Sequence, residues 1–268
     1  MASRIASRRS CWSMREALLL TAALLVAPVA HAQAGAEARR SGFTYATPST
    51  QALQQDDSQN PAMLWVADGR VAWNKVDGEA RKACADCHGE AARMAGVAVR
   101  YPAFDAATHS PITLEQRINA CRIRWQQAPA LAWESRELLS LGALVATQSR
   151  GLAIEAPKDP RLAPFVERGR HRFEQRIGQL NFSCRDCHDT LAGRRLGAAL
   201  IPQGHPTGYP IYRLEWQSLG SLQRRLRNCM TGVRAEPHAF GSVEHVELEL
   251  YLQSRAAGMA LETPAVRP

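Results

Sequence analysis

The sequence Cys184-Arg185-Asp186-Cys187-His188 follows the pattern C-x-x-C-H, and Cys84-Ala85-Asp86-Cys87-His88 repeats it 100 residues earlier. This pattern is typical of the attachment site of a c-type haem, where both thiols bond to the porphyrin and the histidine binds the iron. A zinc site would bring two C-x-x-C pairs closer together and needs no histidine after each pair. Two haem c groups are therefore predicted. Their covalent attachment residues are Cys84, Cys87, Cys184 and Cys187, and their axial histidines are His88 and His188.

The two motifs lie inside a longer internal repeat. The residues that match at the same offset are Gly69, Trp73 and Gly78 before the first motif and Gly169, Phe173 and Gly178 before the second. A glycine followed four residues later by an aromatic is typical of a helix that packs closely against another helix. Each half also closes with an amphipathic helical pattern, for which Ser135 and Ser242 are the candidate N-caps. The fold class predicted from this repeat is mostly all-α, with two tandem class I cytochrome c-like lobes and little strand.

The N-terminus has the pattern of a secretory signal peptide. Arginines are followed by an apolar run over residues 17–29 and by Ala30-His31-Ala32, an A-x-A cleavage signal. We predict a signal peptide at 1–32, an extended N-terminal arm at 33–60, a first lobe at 61–155 and a second, catalytic lobe at 156–268. The expected location is the periplasm, and no other run has the length of a membrane span.

The charge of the chain is mildly basic. The formal net charge is +8 for all 268 residues, and loss of the predicted signal peptide lowers it to about +5. This excess suits an anionic substrate or an acidic protein partner without identifying either. No feature of the sequence indicates nucleic-acid binding.

Two cysteines remain after the signal peptide and the haem motifs are set aside. Cys121 follows Leu114 and Ile118 at helical spacing, and Cys229 follows Leu222 and Leu226 in the same way. An arginine stands four residues before each cysteine, at positions 117 and 225. Each thiol is therefore expected on an apolar, haem-facing side of a helix, one turn from a guanidinium.

The sixth ligand of each iron stays open between a few candidates. His109 competes with Cys121 for the first haem, and Met230 competes with Cys229 for the second. Helical spacing turns neighbouring side chains about 100° apart, so Met230 and Cys229 cannot both face the iron. A Cys121–Cys229 disulfide is the remaining alternative. Thiolate ligation lowers the potential of the iron, which favours an enzyme over a mobile electron carrier.

Further segments accompany the two motifs and the two later cysteines. They are residues 225–229, with the sequence RLRNC, and residues 56–66, 241–244 and 262–267. Together they resemble the A subunit of SoxAX cytochromes, the L-cysteine S-thiosulfotransferases of bacterial sulfur oxidation. The resemblance covers nearly all of the predicted mature chain.

The resemblance implies a specific reaction. Thiosulfate would be joined to a cysteine of a SoxYZ-like carrier protein, giving a cysteine S-thiosulfonate and two electrons. Cys229 would be the catalytic residue, carried as a persulfide, and also the axial ligand opposite His188. Cys121 would lie opposite His88, and Arg225 would bind the substrate. A SoxX-like monohaem cytochrome would form the heterodimer and take the electrons.

The arginines around Cys229 also support thiosulfate as the substrate on physical grounds. Thiosulfate is a dianion, and the arginines near Cys229 in sequence are Arg224, Arg225, Arg227 and Arg234. Arginine binds oxyanions with a two-pronged fork. Arg225 shares the helix face of the cysteine, whereas Arg224 and Arg227 are expected to face solvent or a partner. Spacing does not choose between the lobes, because Arg117, Arg122 and Arg124 flank Cys121.

Two other functions remain as alternatives. A non-catalytic dihaem electron-transfer cytochrome c would use Met230 as a ligand and would not need Cys229. A dihaem peroxidase would need one haem with an open distal side, and such chains are usually longer.

Overall fold

Two pairs of packed helices form the framework of the structure, a computed structural model that describes residues 38–268. In the first half, α2 (Met63–Asn74) packs against α5 (Arg136–Thr147), and in the second half α6 (Ala163–Glu174) packs against α8 (Val243–Arg255). The predicted signal peptide and the first residues of the arm, 33–37, lie outside the described residues.

The repeated glycines bring the helices of each pair into backbone contact. A Cβ atom on Gly69 would lie 2.3 Å from the carbonyl oxygen of Ser140, and one on Gly169 would lie 2.1 Å from that of Glu247. The aromatic residues four positions later, Trp73 and Phe173, are both buried. The prediction that these glycines allow close helix packing is therefore confirmed.

Side-chain caps fix where the helices begin. Ser135 accepts a hydrogen bond from the Leu138 amide at the start of α5, and Ser242 accepts one from the His245 amide at the start of α8. Thr113 and Gln116 form a capping box at the start of α4 (Leu114–Cys121). Ser221 caps α7 (Leu222–Gly232) through the Arg224 amide. The predicted caps at residues 135 and 242 are confirmed.

A short hairpin precedes each helix that carries a spare cysteine. In the first half, β1 (Ala103–Asp105) pairs with β2 (Ser110–Ile112) before α4. In the second half, β5 (Ile211–Arg213) pairs with β6 (Ser218–Gly220) before α7 and also runs parallel to β7 (Ala265–Arg267). A third hairpin, β3 (Arg195–Leu196) and β4 (Ala199–Leu200), lies after the second motif. The structure is mostly helical with short strands, as predicted.

The described part of the N-terminal arm is folded onto the C-terminal strand. It contains a 3-10 helix over Gly42–Tyr45 and α1 over Pro48–Gln55. The side-chain oxygen of Gln54 accepts hydrogen bonds from the Val266 amide and from Arg267. The arm thus follows β7 through specific contacts.

The remaining helical segments are short. They are α3 (Cys84–His88), the 3-10 segments Ala91–Met94, Ala98–Arg100 and Pro160–Leu162, and the π-helical segments Arg122–Gln126 and Asp186–Thr190. Among residues 38–268, no helix combines the length and the apolar character that crossing a membrane would need.

Candidate active site

The α7 helix places Cys229 beside the second C-x-x-C-H motif. Burial raises the pKa of Cys184 to about 12, and the neighbouring charge of Cys229 adds to that rise. Burial also raises the pKa of Cys187, and the charge of Cys229 is the next largest cause of that rise. Such charge effects require short distances in a low-dielectric setting. The structure therefore brings the spare thiol of the second half to the motif of the same half.

His188 is held between a backbone carbonyl and this thiol. Its Nδ1 lies 2.7 Å from the carbonyl oxygen of Pro202, which fixes the ring and leaves Nε2 on the opposite side. Burial opposes ionisation of Cys229, but a hydrogen bond with His188 and the charges of Arg225 and Arg213 lower its pKa below the ordinary value. His188 and Cys229 therefore face one another.

Arg225 lies beside this thiol without a compensating acid. Its burial lowers its pKa, while the charges of Cys229, Tyr209 and Glu215 outweigh that effect and raise it. Among the side chains of residues 38–268, no carboxylate lies within ion-pair distance of its guanidinium. A half-buried, unpaired guanidinium is costly unless an anion joins it.

The corresponding arginine of the first half is already neutralised. Arg117 donates to Oδ1 of Asp105 at 2.7 Å and to the hydroxyl of Tyr101 at 3.3 Å. Burial raises the pKa of Cys121, and the charge of Arg117 only partly offsets this rise. The structure thus distinguishes the two halves, which sequence spacing alone does not.

The other arginines of α7 are engaged away from Cys229. Arg224 stacks on the ring of Trp216 at 4.2 Å and donates to the hydroxyl of Ser218. Arg227 stacks on Phe240 and donates to the carbonyl of His238. These contacts agree with the expectation that Arg225 alone among them shares the face of the cysteine.

Met230 faces a different space from its neighbour Cys229. It is buried and lines a cavity of about 500 Å³ together with Gly178, Arg234 and His238. Neither His188 nor Cys229 lines that cavity. The helix turn between adjacent residues accounts for the separation, and it weakens Met230 as a candidate ligand.

The first half repeats the arrangement around its own motif. Burial raises the pKa of Cys84, and the charge of Cys121 raises it further. The charge of Cys87 in turn raises the pKa of Cys121. Trp73 donates to the carbonyl of Gly89 at 2.9 Å, just beyond the motif. His109 is exposed at the β1–β2 turn. The six described cysteines are free, so Cys121 and Cys229 are not joined to each other.

These residues fit a c-type haem in each half. Both motifs present paired free thiols followed by a histidine, and both have a further thiol nearby. In the second half the histidine and the thiol face each other, as an axial pair requires. The haem attachment and axial roles stay predictions at this point, consistent with the geometry.

Sequence reasoning did not single out three residues near the thiols. They are Asp105 in the first half and Tyr209 and Arg213 in the second. Burial, with the charge of Arg225, lowers the pKa of Arg213, and burial raises the pKa of Tyr209. Alignment of the two hairpins at an offset of 108, which pairs Ser110 with Ser218, would have identified these three residues.

Comparisons with known proteins agree with this arrangement. The family model described as "SoxA/TsdA, cytochrome c domain" matches residues 68–154 and 168–261. A curated relative from Rhodovulum sulfidophilum, named L-cysteine S-thiosulfotransferase subunit SoxA, is 38% identical over 229 residues, covering 85% of this chain and 80% of the relative. The protein of that name from Pseudaminobacter salicylatoxidans is 36% identical, covering 85% of this chain and 80% of the relative. The one from Paracoccus pantotrophus is 34% identical, covering 85% of this chain and 78% of the relative.

A solved structure shows the same fold. The crystal structure of SoxXA from P. pantotrophus contains a chain that superposes with a TM-score of 0.83 at 34% sequence identity. The match covers 86% of this chain and 87% of that one. From the family match, the identity and coverage of its relatives and the shared fold, the chain belongs to the SoxA family of cytochrome c proteins.

Proposed function

We propose that this chain is the catalytic subunit of an L-cysteine S-thiosulfotransferase that joins thiosulfate to a cysteine of a SoxYZ-like carrier protein. The observation that carries the proposal is the pair formed by Cys229 and Arg225. The thiol has a lowered pKa, and the guanidinium beside it is half-buried without a carboxylate partner. A reactive thiolate and an unpaired cation are what a dianionic sulfur substrate requires.

The overall reaction balances in atoms and electrons. One S–S bond forms between the carrier cysteine and the outer sulfur of thiosulfate. The carrier thiol releases one proton, two electrons leave, and the product is a cysteine S-thiosulfonate with a single negative charge on its sulfonate. The two electrons require an acceptor, and haem supplies one-electron redox chemistry when it is bound.

The residues of the chain have separate roles in this proposal. Cys229 is the catalytic residue, carried as a persulfide. Arg225 binds the sulfonate oxygens through its fork of N–H donors. His188, fixed by its contact with the Pro202 carbonyl, and Cys229 would hold the iron of the second haem. His88 and Cys121 would hold the iron of the first haem.

The assembly follows from the same reasoning. Two haem c groups would be held by Cys84 and Cys87 and by Cys184 and Cys187. A SoxX-like monohaem cytochrome would form a heterodimer with this chain and receive the electrons. A SoxYZ-like carrier and thiosulfate would be the substrates. The periplasm is the proposed location, because covalent haem attachment follows export and residues 1–32 have a signal-peptide pattern.

Turnover of the purified heterodimer with thiosulfate and carrier tests the function. Cys229→Ala is expected to abolish turnover, and Arg225→Ala is expected to lower kcat/KM by about 100-fold or more, since a charge-assisted bidentate contact is lost. Arg224→Ala is the matched control on the same helix and should stay within about two-fold of the parent. Unchanged rates in both Cys229→Ala and Arg225→Ala would refute the assignment.

Low-temperature EPR gives an independent readout of the ligands. Thiolate-ligated low-spin iron has a compressed spread of g values, and Cys229→Ala and Cys121→Ala should each remove one such signal. A methionine-type signal in the parent protein would favour the electron-transfer alternative instead.

A further inference from the structure

The hairpin and helix that carry the spare thiol form one repeated unit. Cys121 and Cys229 are 108 residues apart, and so are the hairpin residues Ser110 and Ser218. The preceding turn residues, His109 and Gln217, both have left-handed backbone angles, with φ of 51° and 48°. The two units can therefore be compared position by position.

One position in this unit reverses its charge. Asp105 ends β1 in the first half, and Arg213 ends β5 in the second, each opposite the serine of the following strand. Arg117 and Arg225 also correspond, as do Tyr101 and Tyr209. In the first half, Asp105 neutralises the arginine one turn before the thiol. In the second half, a second arginine occupies that place.

Arg213 is held in place by its own contacts. Its side chain is 12% exposed, and its Nε donates to a main-chain oxygen of Pro268 at 2.9 Å. The charge of Arg225 adds to the lowering of its pKa, and its own charge lowers the pKa of Cys229. Two guanidinium groups beside one thiol repel each other in a partly desolvated site. A doubly charged anion between them removes that repulsion and satisfies their donors.

We propose that Arg213 is a second substrate-binding residue, which together with Arg225 selects a dianionic sulfonate at Cys229. This inference rests on the proposed function and extends its binding site to the β5–β6 hairpin. The pKa of Tyr209 is raised by burial and also responds to the charges of Arg225, Cys229 and Arg213, so its neutral hydroxyl is a further hydrogen-bond donor for the bound anion. The first half lacks this site because Asp105 occupies the corresponding position.

Glu215 competes with the anion for the same cations. Its carboxylate lies 3.1 Å from Nε of Arg213, and its charge raises the pKa of Arg225. Half of its side chain is exposed to solvent. Removal of its charge should leave both arginines free for the substrate. Glu215→Gln is therefore expected to tighten thiosulfate binding, opposite to the effect of any loss at Arg213.

The test is calorimetric titration of the purified holoprotein heterodimer with thiosulfate, without carrier protein. Arg213→Ala should weaken binding by about 10-fold or more, Arg213→Lys by less, and Glu215→Gln should strengthen it by about two-fold or more. Arg213→Asp recreates the first-half pairing and should reduce binding below detection. Arg224→Ala, whose guanidinium stacks on Trp216, is the control and should bind as the parent does.

A second readout separates charge selection from a loss of structure. The rates at which iodoacetate and iodoacetamide alkylate Cys229, located by mass spectrometry, give a ratio that reports the local positive charge. Arg213→Ala should lower this ratio by about three-fold or more, with haem absorbance unchanged. Parent-like affinity and ratio in Arg213→Ala, with both lost in Arg225→Ala, would overturn this inference alone. Parent-like behaviour and turnover in Arg225→Ala would instead refute the proposed function.

Discussion

Nη2 of Arg117 lies 2.7 Å from Oδ1 of Asp105, while the equivalent Arg225 has Arg213 at the corresponding position. The first pairing is a structural ion pair, with the Asp105 side chain only 11% exposed. The second arrangement leaves two cations near one thiol. The two units thus share their hairpin and helix. The change from Asp105 in the first to Arg213 in the second replaces a stabilising ion pair with the proposed binding site.

Asp105→Asn should destabilise the first half at neutral pH. Although burial raises the pKa of Asp105, the hydrogen bonds from Arg117 and Thr108 outweigh it and lower that pKa below the ordinary value. A depressed carboxyl pKa contributes stability above the unfolded value, and that stability is lost as pH falls through the folded value. We expect a loss of about 1 to 2 kcal/mol in the free energy of unfolding at pH 7, shrinking below about pH 4.

Urea unfolding of parent and variant at pH 7 and at pH 3.5 measures this difference. Asp57→Asn is the matched control, because Asp57 pairs with Arg150 at a more exposed site and should change stability by less than about 0.5 kcal/mol. A constant difference across both pH values would contradict the ion-pair explanation.

Glu249→Gln should act in the opposite direction. Burial raises the pKa of Glu249 well above the ordinary value, and the charges of Glu115 from α4 and Glu134 from the segment before α5 add to the rise, whereas Gln223 lowers it. The folded state then binds more protons than the unfolded state above about pH 4, so stability falls as pH rises through that window. The neutral variant avoids this loss.

We expect Glu249→Gln to raise the free energy of unfolding at pH 8 by roughly 1 to 2 kcal/mol, with no gain at pH 4. Unfolding curves of the two proteins at both pH values provide the check. A variant that is less stable than the parent at pH 8 would show that the carboxylate is needed in its charged form.

Gly169→Ala should separate the second helix pair. The added Cβ would lie 2.1 Å from the carbonyl oxygen of Glu247 and 2.7 Å from Cβ of Tyr251, so the helices must move apart. Overpacking of this kind costs about 1 to 3 kcal/mol. Gly232→Ala is the control, since nothing lies within 4 Å of its added Cβ. Equal melting temperatures for the two variants would show that the contact is not rigid.

Local patterns explain why the sequence predicted the helix framework. The residues Gly69 and Gly169 with their aromatic partners, and the caps at Ser135 and Ser242, depend on neighbours within four residues. Such spacing can be read without knowing the tertiary fold. The helix faces of Cys121 and Cys229 were predictable for the same reason.

The charge reversal at the hairpins depends on long-range contact and was not predicted. The offset between the halves is 100 at the C-x-x-C-H motifs but 108 at the hairpins, because the second half carries a longer loop that includes β3 and β4. The extra residues hide the correspondence between Asp105 and Arg213. Only the folded chain places Arg213, sixteen residues before Cys229, where its charge reaches the thiol.

Met230→Leu should leave the second haem and the reaction unchanged. Met230 lines the cavity beside Gly178 and is one helix position away from the thiol that faces His188. Leucine is nearly isosteric with methionine, so the cost in stability is less than about 1.5 kcal/mol. EPR should still show two thiolate-type signals, and turnover should stay within about two-fold of the parent. A methionine-type signal in the parent that is lost in Met230→Leu and retained in Cys229→Ala would make methionine the ligand and leave the chain an electron carrier.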